Sequence, residues 1–167
     1  MLRKVFSATA AILIMSSLAS AAQTPTRINQ FNAWGSYSYD AAGGKVCYIL
    51  SQPTEKSPAS VDHGDIFFLV SQKPGQNVSF EPQVVMGYPM REGSKVNVDI
   101  DGKKYALFTK GESAWMENAA EEPQLVAALR NGKAMTVQAT SQRGTATSYK
   151  YSLAGVTAAL KSISTCR

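Results

Sequence analysis

The stretch Lys95-Val-Asn-Val-Asp-Ile-Asp-Gly-Lys-Lys-Tyr-Ala-Leu-Phe108 constrains the fold of this chain more than any other. Val96, Val98 and Ile100 alternate with Asn97 and Asp99, the period-2 signature of a strand with one buried face. Asp101-Gly102 then fits a two-residue type I′ turn, which needs positive φ at both positions. Two residues can join only antiparallel neighbours, so this segment commits the chain to an antiparallel hairpin. The same signs recur elsewhere. Trp34 to Tyr39 alternates, Asp40 to Lys45 reads as a loose turn, and Val46 to Gln52 returns. Pro53 to Ser60 reads as an exposed loop, and Ile66 to Val70 as a core strand. Val78 to Phe80, Val84 to Tyr88, Ala114 to Met116, Ala134 to Thr140 and Thr147 to Leu153 are further short strands. Two segments break the pattern. Pro123 can open a helix over 122–130 with Leu125, Val126 and Leu129 on one face and Gly132 at its end. Val156, Ala159, Leu160 and Ile163 recur at helical spacing over 156–163. The fold class read from these elements is all-β, an antiparallel β-sandwich with one or two short helices.

The first residues point to export. Arg3 and Lys4 precede the apolar or small stretch Val5 to Leu18, and Ala19-Ser20-Ala21 has the small-x-small pattern that signal peptidase reads. Serines and threonines interrupt the apolar stretch, which falls short of the roughly 20 residues a membrane span needs. The expected organisation is a signal peptide over 1–21 cut near Ala21/Ala22, an extended leader over 22–30, and a single domain over 31–167. Removing Arg3 and Lys4 lowers the formal charge from +5 to +3. The remaining basic residues are scattered, with Lys103-Lys104 the only adjacent pair, so nucleic-acid binding is not expected. The strands are too short and too interrupted by helices for an outer-membrane barrel.

The chain has two cysteines, Cys47 and Cys166, and one histidine, His63. Two thiols are too few for a structural zinc site and are not spaced as a redox C-x-x-C. In an exported chain they read first as a disulfide, the alternative being two separate buried thiols.

Three blocks carry a family resemblance. They are F-N-A-W with C-Y-I-L-S-Q thirteen residues after Trp34; V-V-M-G-Y-P-M followed by V-N-V-D-I-D-G-K; and the closing Y-S-L-A-G-V-T-A-A-L-K-S-I before Cys166. In this order, from about Phe31 to Cys166, the chain resembles the invasion-associated locus B family of exported proteins from Gram-negative bacteria. The resemblance implies a β-sandwich in the cell envelope, periplasmic or peripherally associated with the outer membrane. In pathogens the family is linked to entry into host cells. Relatives often carry a cysteine three residues after the tryptophan, where this chain has Tyr37, and a close pair in the region of Thr109 to Ala114, where it has none.

No catalytic constellation or metal-ligand set stands out, and no cofactor is expected. Asp62, His63 and Asp65 could be a metal or acid–base cluster, but a turn with local hydrogen bonds is the commoner reading of such a segment. Asp99-Ile-Asp101-Gly102 lacks the glutamate that a calcium loop needs six residues after its glycine. Tyr149 and Tyr151 share a strand face with Thr147 and are candidate binding-face aromatics, although alternate aromatics in a sandwich are usually core. The function expected is non-enzymatic binding of a protein or envelope component of unknown identity. Two alternatives stand beside it: a metal-assisted envelope hydrolase using Asp62, His63 and Asp65, and a carrier of a small apolar ligand between the sheets.

Overall fold

The computed structural model describes residues 24–166; the segment 1–21, expected to be a signal peptide, lies outside the described residues. Among the described residues eleven strands are formed: β1 Thr26–Phe31, β2 Trp34–Ala41, β3 Gly44–Ser51, β4 Glu55–Ser57, β5 Phe67–Lys73, β6 Val78–Val85, β7 Lys95–Ile100, β8 Lys103–Lys110, β9 Ser113–Met116, β10 Ala134–Thr140 and β11 Ala146–Ser152. The helices are α1 Glu122–Asn131 and α2 Val156–Ile163. Every strand pair is antiparallel, and the strands form one ladder in the order β1-β2-β3-β5-β6-β9-β8-β7-β10-β11-β4.

The ladder curls until its two halves face each other across the core, which makes the fold sandwich-like although the halves are one sheet. Trp34 on β2 donates its indole N–H to the carbonyl of Ser152 on β11 at 3.0 Å. Phe68 on β5 meets Tyr151 on β11 edge to face, with ring centroids 6.2 Å apart. The inward residues follow the alternation in the sequence: Val96, Val98 and Ile100 are buried, with Lys95 and Asn97 exposed. The β7–β8 turn holds Asp101 at φ 49° and Gly102 at φ 90°, as a type I′ turn requires.

The helices close the open ends of the core. α1 buries Leu125, Val126, Ala128 and Leu129. Gly132 follows it in extended rather than left-handed backbone; glycine is needed there because a Cβ would lie 2.6 Å from Ile100 Cγ2 and 2.9 Å from the Ala128 carbonyl. α2 buries Val156, Ala159, Leu160 and Ile163 and starts from Gly155, whose φ is 93°. A Cβ on Gly155 would stand 2.0 Å from the Phe31 carbonyl, so the backbones of β1 and α2 touch only because this residue has no side chain. Beyond α2, Cys166 is bonded to Cys47 on β3, with Cα atoms 5.8 Å apart.

Several segments differ from the sequence expectation. The first hairpin turns within Ala42-Gly43, tighter than the loop expected over 40–45, because β2 and β3 pair as far as Ala41 and Gly44. Residues 26–30 of the extended leader belong to β1, paired with β2. The loop expected over 53–60 contains β4, paired with β11. β4 is polar on both faces, and β1 has Ile28 as its one apolar residue before Phe31, so neither edge strand carries an alternation to read. The two short strands expected around residues 78–88 are one strand, β6, despite Pro82. At Pro82 the strand is paired with β5 alone, since β9 covers only Gln83 to Val85, and a strand tolerates proline where one side is open.

Candidate functional site

Tyr149 and Tyr151 do not form a binding face. Both point inward and are buried, at 0% and 1% exposure, because their parity on β11 is that of the core. Burial first, and the neighbouring phenols after it, push both hydroxyls above the ordinary tyrosine range. Neither can serve as a phenolate base or nucleophile near neutral pH. Tyr151 Oη is buried without a hydrogen-bond partner among the described residues.

Tyr149 instead anchors a chain of polar groups under a surface cleft. Its hydroxyl lies 2.9 Å from His63 Nδ1 and 2.9 Å from the Tyr88 hydroxyl. Tyr88 in turn lies 2.6 Å from Thr147 Oγ1, which donates to the Ala139 carbonyl at 3.2 Å. His63 Nε2 is 2.9 Å from the Pro58 carbonyl. A carbonyl can only accept, so Nε2 carries a proton and donates. The imidazole is buried and packs edge to face on Tyr149 with ring centroids 5.3 Å apart.

Two glycines bring these groups together. Gly64 has φ 58°, and a Cβ there would sit 2.8 Å from the Gly87 carbonyl. A Cβ on Gly87 would sit 2.5 Å from Asp65 N and 2.6 Å from the His63 carbonyl. Backbone therefore lies directly on backbone, and the loop carrying His63 reaches the segment carrying Tyr88. The bridge between Met90 and Ser141 and the Gln142 N–H donated to the Pro89 carbonyl at 2.9 Å attach the β10–β11 turn to the same segment. Between these loops lies a cleft of about 540 Å³ with Val61, Pro89, Gln142 and Arg143 around it and Tyr88 and Thr147 at its base.

The trio Asp62, His63 and Asp65 does not converge. Asp62 Oδ1 accepts the Gly64 N–H at 2.9 Å as a local turn, Asp65 is exposed, and both nitrogens of His63 are engaged inside the protein. Among the described residues no group of three or more His, Cys, Asp or Glu side chains has the geometry to hold a metal ion. Asp99 and Asp101 accept backbone N–H groups, from Gly102 at 2.8 Å and Lys133 at 2.9 Å. The space between the two halves of the sheet, where an apolar ligand would sit, is filled by Trp34, Phe68, Ile49 and Tyr151, each 0–1% exposed.

The cleft could not be read from the sequence, because its walls come from segments up to 86 residues apart. The one local signal was the solitary histidine beside glycine.

The fold has a counterpart among solved structures. A crystal structure of invasion associated protein B from Bartonella henselae superposes with a TM-score of 0.57 at 15% identity, covering 81% of this chain and 94% of that one. No curated protein matches the chain. Residues 34–164 match the family described as invasion associated locus B (IalB) protein, a span from the buried Trp34 of β2 to the end of α2. The chain belongs to the invasion associated locus B family.

Proposed function

We propose that the protein is exported, is cut near Ala21/Ala22, and works in the periplasm or against the outer membrane. There it binds another protein or an envelope component and is not an enzyme. The observation that carries this reading is the division of labour at the cleft. The groups that could do chemistry, His63, Tyr149, Tyr88 and Thr147, are bonded to one another and to backbone carbonyls. The groups left to face a partner are Val61, at 37% exposure, with Pro89, Gln142 and the charged Asp62 and Arg143. A concave site with a rim that mixes apolar, amide and charged groups over a hydrogen-bonded floor suits recognition. Arg143 offers a planar fork of donors to a carboxylate on the partner.

The test is a photoreactive residue at position 142 in intact cells. A discrete adduct, identified by mass spectrometry and lost when Val61→Asp is added, supports the reading. Adducts no different from those at an exposed position far from the cleft, such as Lys104, overturn it. The hydrolase alternative predicts that His63→Ala lowers metal content or abolishes a hydrolytic activity of the purified protein. The binding reading predicts neither.

A further inference from the structure

Among the described residues, no element covers the outer face of the sheet. Both helices and the Cys47–Cys166 bond lie on the inner side, where their apolar residues join the core. Across the outer side a row runs through Leu50, Leu69, Gln83, Trp115 and Phe108, each facing the next on neighbouring strands. On one flank Tyr37 stacks on Tyr48 with centroids 5.3 Å apart, and Tyr39 meets Tyr48 edge-on at 6.2 Å. On the other flank Phe67 faces Val85. Trp115 and Phe108 stack at 5.9 Å. These side chains are half-buried, and Phe108 is 41% exposed. Single exposed apolar residues are ordinary, but an aromatic and aliphatic stripe over six strands, interrupted by Gln83 and flanked by Ser71, Glu81 and Ser113, has the amphipathic make-up of an interaction surface.

Size, shape and charge select its occupant. Six strands span roughly 24 Å, and two alternate steps along each span roughly 13 Å. The footprint is therefore on the order of 300 Å², well under the roughly 800 Å² that each partner of a stable protein pair contributes. The sheet curls around its core, so this face is convex, and two convex faces bury little against each other. The charges on this face are nearly balanced: Lys73 bonds Glu81 at 2.5 Å, Lys95 bonds Glu117 and Asp99 faces Lys104 across its ladder, which leaves Lys110, opposite Ser113, as one extra cation beside Phe108. A partner that needs neither shape complementarity nor net charge fits best. Tyrosine and tryptophan, with an apolar ring and a polar tip, are the residues that settle at the boundary of a bilayer.

The geometry points to the outer face of β2, β3, β5, β6, β9 and β8 as a docking surface for the interfacial region of a lipid bilayer of neutral net charge. The surface is separate from the cleft, and neither reading depends on the other.

Trp34 and Trp115 are the only two tryptophans, and Trp34 is sealed in the core at 0% exposure. Trp115 is therefore a built-in reporter. Purified protein is mixed with phosphatidylcholine vesicles brominated near the headgroup end of the acyl chains. Tryptophan emission should be quenched, the quenching should persist in high salt, and Trp115→Phe should remove the quenchable part. Flotation with Phe108→Asp should show partitioning weakened about tenfold or more, because a charge replaces a ring at the contact. No flotation of the unaltered protein, flotation without quenching of Trp115, or quenching abolished by salt each overturns the proposal. So does sedimentation that reveals lipid-free self-association lost in Phe108→Asp, which assigns the face to a second copy. The bromolipid measurement on the unaltered protein decides the matter even if a variant fails to fold.

Discussion

Replacing both Cys47 and Cys166 by alanine tests how the C-terminus is held. The bond joins residues 119 apart in sequence. For a closed loop of that length, the chain-entropy relation gives about 5 kcal/mol at 25 °C, acting on the unfolded chain. In the folded state α2 has its own anchorage, the buried Val156, Ala159, Leu160 and Ile163, so the helix should stay docked without the bond. The double variant should therefore keep its near-ultraviolet circular dichroism while losing about 4–5 kcal/mol of unfolding free energy. At about 2–4 °C per kcal/mol for a domain of this size, Tm should fall by about 10–20 °C. Denaturant titration should also give a steeper transition, because the uncrosslinked unfolded chain exposes more surface. The double replacement is preferable to a single one, which would leave a reactive thiol. A loss under about 1 kcal/mol with an unchanged slope would refute the loop-closure reasoning. Hydrogen exchange showing α2 open in the folded variant would refute the other half, the claim that apolar burial suffices to dock the helix.

Four further outcomes are expected. Gly155→Ala should destabilise by about 2–4 kcal/mol in thermal unfolding, because its Cβ would collide with the Phe31 carbonyl and φ is 93°. Gly87→Ala should push the His63 loop off Tyr88, seen as a shifted His63 resonance by NMR and a loss of about 2 kcal/mol or more. His63→Ala should cost about 2–3 kcal/mol through two lost buried hydrogen bonds, with bound metal unchanged by elemental analysis. Alkaline titration followed by phenolate absorbance should show Tyr149 and Tyr151 ionising last of the seven tyrosines. Their hydroxyls are raised in the folded state, so their contribution is complete below the unfolded value near pH 10 and is lost as pH climbs above it. Unfolding should therefore accompany their ionisation; early, reversible ionisation of both in the folded protein would contradict their burial.

The sequence by itself determined what is local. The Asp101-Gly102 turn, the parity of Val96, Val98 and Ile100, the spacing of Val156, Ala159, Leu160 and Ile163, and Pro123 at the start of α1 specify antiparallel pairing and two short helices from neighbours along the chain. The core aromatics lay on the correct parity, but parity alone did not say which side of β11 would face in, so Tyr149 and Tyr151 stood open as a binding face until the opposing half of the sheet covered them. Only the tertiary structure decided that the strands form one curled ladder and that the polar segments 26–30 and 55–57 complete its edges. It also placed His63 beneath a cleft with Tyr88 and Tyr149, and left a largely apolar row from Leu50 to Phe108, broken at Gln83, uncovered by any other described residue. The physical reason is the same in each case. Strand order, backbone contacts such as Gly64 on Gly87, and continuity across a sheet face depend on residues tens of positions apart. A period-2 pattern records that a side chain is apolar but not which element, if any, will cover it.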